Sequence, residues 1–574
     1  MRKQLSIAAS LLVSAMVSSQ AAVTYINSDI TSSTHLSKLP AGDYYSLTNV
    51  VYVMPGASLT LDAGVLFKNS GDGSLAITRG AQFFVNGTKD EPVIFTSIHD
   101  DFATWREAAN EWGSIAICGN GLISASHYKG AAVIGSDGVA NSKQPDGYSD
   151  KVMEGLSAAY TGDTRPYYGG NNDCDDSGSI KYLSIRYGGQ ISSLPNKELN
   201  GLSLGAVGQG TDIDYIEIMN NVDDGIEIWG GKVHLKHVSI WNVGDDSFDI
   251  DEGWRGQAQF GLIVQGYSLD ASQGSGVGDN MFEHDGAEDS DAQPVTSGQI
   301  YNFTAIGNPE DGDGATAWRD GCRMQYRNCI IMDCAEKVVR PDGDDGDGAN
   351  GYGYNGTLTM AEVFSTDATH LRSNSIGVSP QSLYTAQDAG KMSGFENCIF
   401  YHNANYAKFD EFGQTNAVFH NIIEPASMPI KKVIRGPIVT KHGKDIAPVI
   451  SLDPCAAHDA AVAGNAKVVP RNGFYDAAPF VGGFSANNNW LVGWTAADQF
   501  GLVDHASHSA PAATITTGAA ISFPTQAGVW YTVQSATDAA GPWSNVADVL
   551  GNGQTMSYVD SDLGTTGFFK VVYK

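Results

Sequence analysis

The chain has 574 residues, 64 of them Asp or Glu against 34 Lys or Arg, and a net charge of −30 at neutral pH. So acidic a surface argues against nucleic acid as a partner, because phosphate backbones are bound by clustered cations, and it favours bound cations or solubility at high salt. The length allows two or more domains, although a repetitive fold can absorb most of it as one.

Arg2 and Lys3 precede an apolar run from Leu5 to Val17, and Ser19-Gln-Ala21 follows as a small-x-small cleavage site. Residues 1–21 therefore read as a secretory signal peptide, which implies export to the periplasm, cell surface or medium. No later apolar run reaches the roughly 18 residues of a spanning helix, so no transmembrane segment is expected. Leu59–Phe67 aligns with Leu75–Phe83, and Gly64 coincides with Gly80, as glycines at the corner between two short strands would. Strand-sized apolar pieces continue at Ile115–Cys118, Ile180–Ile185, Leu202–Leu204, Gln259–Val264, Ile300–Ile306, Met324–Met332 and Phe395–Tyr401. No helical periodicity of core length interrupts them.

The strongest signal is a repeat at an offset of 22 residues, Tyr215–Ile228 against His237–Ile250. Each copy alternates apolar residues, bends at an Asn and a pair of Asp, and alternates again. Such a period predicts a coiled parallel β-solenoid in which one copy stacks on the next, about 4.8 Å away. An all-β right-handed parallel β-helix is thus expected over 22–504. Polar insertions at roughly 121–178, 268–298, 307–320 and 340–392 would project from it. Pro341–Gly348 has the carboxylate and glycine density of a Ca²⁺ loop, with Asp342, Asp344, Asp345 and Asp347 as ligands, but lacks the closing Glu of an EF-hand. Residues 505–511 read as a linker, and 512–574 as a small C-terminal β-sandwich. Of the seven cysteines, Cys329 and Cys398 share the context Asn-Cys-Ile, as stacked core positions would; buried thiols and disulfides both remain open.

Stacking carries the chemistry. Glu227 and Asp249 are equivalent outward positions one coil apart, and Asp224 stands to Asp246 in the same way. Two carboxyl groups that close raise one pKa, which prepares a general acid for glycoside hydrolysis. Asp245, Asp246 and Arg255 complete the candidate catalytic set. Asp251, Glu283, His284 and the aromatic faces of Trp229, Trp241 and Trp254 are candidate sugar contacts. Clustered carboxylates holding Ca²⁺, with Arg255 or Lys236 as base, would instead suit elimination by a polysaccharide lyase. The competing structural reading makes the aspartates corner residues bonded to local backbone, Asp249–Arg255 an ion pair, and the tryptophans packing under insertions.

Leu59–Thr96, Trp112–Ile115, Tyr168–Ile185, Asn200–Leu204, Asp223–Gly231, Gly244–Gly256 and Phe480–Trp494 resemble secreted bacterial right-handed β-helix proteins of pectin-lyase-like fold. The resemblance implies that fold over most of 50–495. Asn221-Val-Asp-Asp-Gly225 with Gly244-Asp-Asp246 is also similar to two motifs of polygalacturonases, which implies Asp224, Asp245 and Asp246 as hydrolytic carboxylates. The Gly-His-Gly and Arg-x-Lys motifs of those enzymes are absent from this sequence. The expected function is binding or processing of extracellular polysaccharide through the acidic face, by hydrolysis or Ca²⁺-dependent elimination. The alternative is a non-catalytic surface or adhesion protein that recognises its partner through loops.

Overall fold

A computed structural model describes residues 21–124, 150–189, 199–266, 278–286, 294–312, 314–319, 322–341, 393–404, 418–462, 465–504 and most strands beyond 514. Alternating apolar residues close into three parallel walls. The first wall is a nine-stranded sheet running from Val50–Val53 through Ser74–Ile77, Ile115–Cys118, Leu202–Gly205, Ile226–Trp229, Phe248–Asp251, Phe282–His284 and Thr316–Trp318 to Val339–Pro341. The second and third walls are two halves of a seventeen-stranded sheet. They are joined in each upper coil by one residue of left-handed backbone: Tyr182, Tyr215, His237, Phe260, Asn302, Asn328 or Asn397.

The 22-residue offset is one coil. Asp212–Met219 pairs in parallel with His234–Trp241, and Ile226–Trp229 with Phe248–Asp251. The shorter repeat near the N-terminus has a different origin. Leu59 stacks on Phe83 and Leu75 on Val51, so the two similar segments are different corners of the spiral and not stacked coils. Gly64 and Gly80 hold those corners at φ of 74° and 78°.

One apolar column fills the interior, with Leu202, Ile226, Phe248 and Phe282 from the first wall all fully buried. A side chain of that size contributes about 1.5–3 kcal/mol when fully buried, and each coil repeats the gain. Cys329 and Cys398 are buried on adjacent coils, where the Cys329 amide donates to the Cys398 sulfur at 3.3 Å, and all seven cysteines are free thiols.

After the last coil the chain doubles back along the left-handed corner. Asn397, Asn328 and Asn302 donate to the carbonyls of Asn465, Lys467 and Phe480, at 2.7, 2.8 and 2.8 Å. Lower on the same corner Tyr182, Tyr215 and His237 stack ring on ring, and Trp490 and Trp494 meet them edge-on. Beyond 514, two three-stranded antiparallel sheets share a core of Ile521, Phe523, Tyr531, Val533 and Val571. No helix among the described residues is long and apolar enough to cross a membrane.

Candidate functional site

The acidic residues sort into two columns on the first wall. One column lies at the corner entering each strand. The Asp224 amide donates to Asn200 Oδ1 at 3.2 Å, the Asp246 amide to Asp224 Oδ1 at 2.8 Å, and the Asn280 amide to Asp246 Oδ1 at 2.5 Å. Each corner side chain therefore satisfies a buried backbone donor of the next coil, which fixes the stacking of these turns.

The other column lies on the strands themselves. Ser203, Glu227, Asp249 and Glu283 are in register on four successive coils. Asn200 Nδ2 donates to Glu227 at 2.5 Å, and Asp249 stands beside Glu227 on the next coil. Burial, with Asp249 as the largest charge beside it, raises the Glu227 pKa well above the usual carboxylate range. Burial and Glu283 do the same to Asp249, burial and Asp223 to Asp224, burial and Glu283 to Asp246, and burial and Asp251 to Asp285. Asp224, Glu227 and Asp249 are each only 7% exposed, while Asp245, Asp251, Asp279, Glu283 and Asp285 are half-buried around them.

One carboxylate oxygen from each of Asp224, Glu227 and Asp249 lies within 4.8 Å of the others, and Asp245 forms similar groups with Asp223 and Asp224 and with Asp246 and Asp279. Asp249 Oδ1 is buried without a hydrogen-bond partner. A hard divalent cation takes 6–8 oxygen ligands at about 2.3–2.6 Å, and oxygen-only donors with an unsatisfied carboxylate fit that demand. The acidic loop of Asp342, Asp344, Asp345 and Asp347 lies outside the described residues.

Other expected contacts are elsewhere. Arg255 is fully buried and grips both oxygens of Asp173, at 2.6 and 2.8 Å, so its partner is not Asp249. Lys236 is on the second wall, bonded to Asp476 at 2.8 Å. Trp241 packs under the returning chain with its indole N–H on Ser239, and Trp254 points inward with its N–H on the Val233 carbonyl. Trp229, 4% exposed, lies against Tyr168. All three are too deeply covered to present a face to sugar. His284 falls on an inward position opposite Ile250, where burial depresses its pKa to about 3 and Tyr326 hydroxyl is its neighbour.

Sequence reasoning missed two groups at this wall. Arg319 places its guanidinium 3.2 Å from both Glu283 and Asp285, and no sequence motif marks it. Asn200 precedes Gly-Leu just as Asp224 precedes Gly-Ile, so extending the repeat one coil earlier reveals it.

No curated protein matches this sequence. Among solved structures, full-length tailspike protein 2 from Escherichia coli O157:H7 bacteriophage CAB120 is similar at 10% identity and a TM-score of 0.22, over 93% of this chain and 62% of its own length. The chain thus spans less than two thirds of that structure, and a score so low transfers nothing. The description "Pectate-lyase like beta helix domain" belongs to a family that matches residues 29–399. That stretch holds most strands of all three walls and the whole acidic face, and the chain belongs to this pectate-lyase-like β-helix family.

Proposed function

We propose that this is an exported protein that binds extracellular polysaccharide along the acidic outer side of the first wall and hydrolyses a glycosidic bond there. The observation that carries the reading is the Glu227–Asp249 pair: equivalent positions on adjacent coils, carboxylate oxygens within 4.8 Å of each other, and a raised proton affinity on each. A carboxyl group that keeps its proton near neutrality is a general acid, and its ionised neighbour is the second carboxylate such chemistry needs. Adjacent coils are about 4.8 Å apart, nearer to the 5–5.5 Å of retaining hydrolysis than to the 6.5–9.5 Å of inversion. The half-buried rim of Asp245, Asp251, Glu283 and Asp285 is the part a polymer would meet first. The family's fold is one often used for polysaccharide binding or processing.

The Asp224–Glu227–Asp249 group favours a second reading, Ca²⁺-dependent elimination. A cation held there would supply positive charge toward a uronate carboxylate. Arg255 and Lys236 are engaged elsewhere, and Arg319 is the cation beside these acids.

Incubation with a panel of polysaccharides, with and without EDTA, tests both. New reducing ends insensitive to EDTA support hydrolysis, and ultraviolet absorbance from unsaturated products that EDTA abolishes supports elimination. Glu227→Gln and Asp249→Asn are each expected to remove turnover. Retained glycan binding without turnover in the unaltered protein would overturn the catalytic assignment and leave an adhesion protein.

A further inference from the structure

Cys329 and Cys398 occupy the same place on neighbouring coils. Cys329 precedes the strand Ile330–Met332 and Cys398 the strand Ile399–Tyr401, and these pair in parallel with Ile330 against Ile399. One residue before each cysteine, Asn328 and Asn397 turn the chain at the same φ of 55°. The backbone therefore enters both positions alike, and the two Cα–Cβ bonds run side by side into the apolar core. Tyr326 and Phe395 of the same two coils are also in register, their rings stacked with centroids 4.5 Å apart. Both thiols are fully buried.

Strands stacked in this way hold equivalent Cα atoms about 4.8 Å apart, inside the span of about 4.4–6.8 Å that a disulfide bridges. The Cys398 sulfur leans onto the earlier coil, where it accepts from the Cys329 amide at 3.3 Å. The Cys329 thiol is turned to the Arg327 carbonyl at 3.2 Å, and rotation about its Cα–Cβ bond is the movement that brings the two sulfurs together. Burial, with the Cys398 thiol beside it, pushes the Cys329 pKa well above the usual thiol range. Thiolate is the form that exchanges, so the closed coil resists oxidation and the pair reacts while the two coils are apart.

We propose that Cys329 and Cys398 are a site of disulfide formation, which ties the coil of Gln325–Met332 to that of Gly394–Tyr401. The oxidant is a disulfide compound such as oxidised glutathione. One cysteine, as thiolate, attacks it; the oxidant's S–S bond breaks, one of its thiols leaves, and a mixed disulfide remains. The second cysteine thiolate then attacks the protein sulfur of that mixed disulfide and expels the oxidant's other thiol. The two cysteines lose two electrons, the oxidant's sulfurs gain them, and the two protons end on the released thiols. The cysteines lie 69 residues apart in the chain, so the bond closes a long loop and removes its freedom from the unfolded state. The site is inside the coil and independent of the acidic face. It rests only on the export reading, because exported chains meet disulfide oxidants while cytosolic thiols are kept reduced.

Incubation of the purified full chain with oxidised and reduced glutathione, in urea below the unfolding transition, opens coils locally and lets the thiols react. Acid quenching, alkylation and peptide mapping by mass spectrometry then locate every bond. The expected product is a peptide pair joined through Cys329 and Cys398 and lacking two hydrogens. Dithiothreitol should lower the melting temperature of that product by several degrees and leave that of Cys398→Ala unmoved. Cys329 and Cys398 recovered as alkylated thiols, as separate glutathione adducts or in bonds to other cysteines would overturn the proposal, and this result needs no variant to fold. The mapping does not depend on export, which is read separately from whether the chain loses residues 1–21 and leaves the cytosol of a bacterial host. Retention in the cytosol would remove the export reading and leave the bridge formed in glutathione standing.

Discussion

Replacing Asp249 by Asn keeps the shape of the side chain and removes its charge. In the folded protein burial and Glu283 hold the Asp249 proton on well above the usual carboxylate range, whereas in the unfolded chain an Asp releases it at about pH 3.9. The folded state therefore binds the extra proton. Stability from this group is fully present below the unfolded pKa and is lost as pH rises toward the folded one. Each proton so retained costs about 1.4 kcal/mol per pH unit between the unfolded and the folded pKa. Asp249→Asn should flatten the stability–pH profile by at least one proton, since Glu227 also loses the largest charge beside it. The variant should gain on the parent as pH rises above about 4, by up to about 1.4 kcal/mol per pH unit. Urea unfolding at pH 5, 6, 7 and 8, followed by tryptophan fluorescence, reads this directly. An unchanged slope, or a loss above about 1 kcal/mol at pH 7, would refute the reasoning and make Asp249 a structural anchor.

Asp246 should behave in the opposite way. Its Oδ1 accepts from the buried Asn280 amide, so Asp246→Ala should cost about 1–3 kcal/mol in urea unfolding, and Asp246→Asn, which keeps an oxygen there, clearly less. Arg255→Met leaves Asp173 without its two-pronged partner, and should cost about 3–5 kcal/mol with polysaccharide binding at the acidic face unchanged. Ca²⁺ at a hundred times its dissociation constant should stabilise the protein by about 2.7 kcal/mol, seen as a rise in melting temperature that EDTA reverses and that Glu227→Gln abolishes.

The coil and its register were legible because the code for them is short and local. Alternation at period 2 and recurrence at 22 residues are fixed by the pleat and by stacking, and Glu227 and Asp249 met where those periods put them. The same rule, applied one coil further, puts His284 opposite Ile250 and so inside; grouping Glu283-His-Asp285 by chemistry overlooked that alternation. What stayed hidden came from long-range closure. The returning segment that covers Trp241 lies some hundreds of residues later in the chain, and Asp173 meets Arg255 across an insertion; no periodicity encodes either meeting. Leu59–Phe67 resembles Leu75–Phe83 without stacking on it, because two corners of one coil need the same strand–glycine–strand grammar as two stacked coils.

Acidity alone therefore cannot separate architecture from chemistry on this wall, but hydrogen bonding can. Asp224 and Asp246 each accept a backbone amide of the following coil, a task that Asn performs equally well at position 200. Glu227 takes its bond from the Asn200 side chain, and Asp249 Oδ1 is buried without a hydrogen-bond partner. Their burial as carboxyl groups opposes folding at neutral pH, and an apolar or amide residue would fill the column at less cost. Groups kept at such a cost cluster where proton transfer or cation binding needs them. The strand column, and not the more conspicuous paired aspartates of the corner, is where substitution should change function before it changes stability.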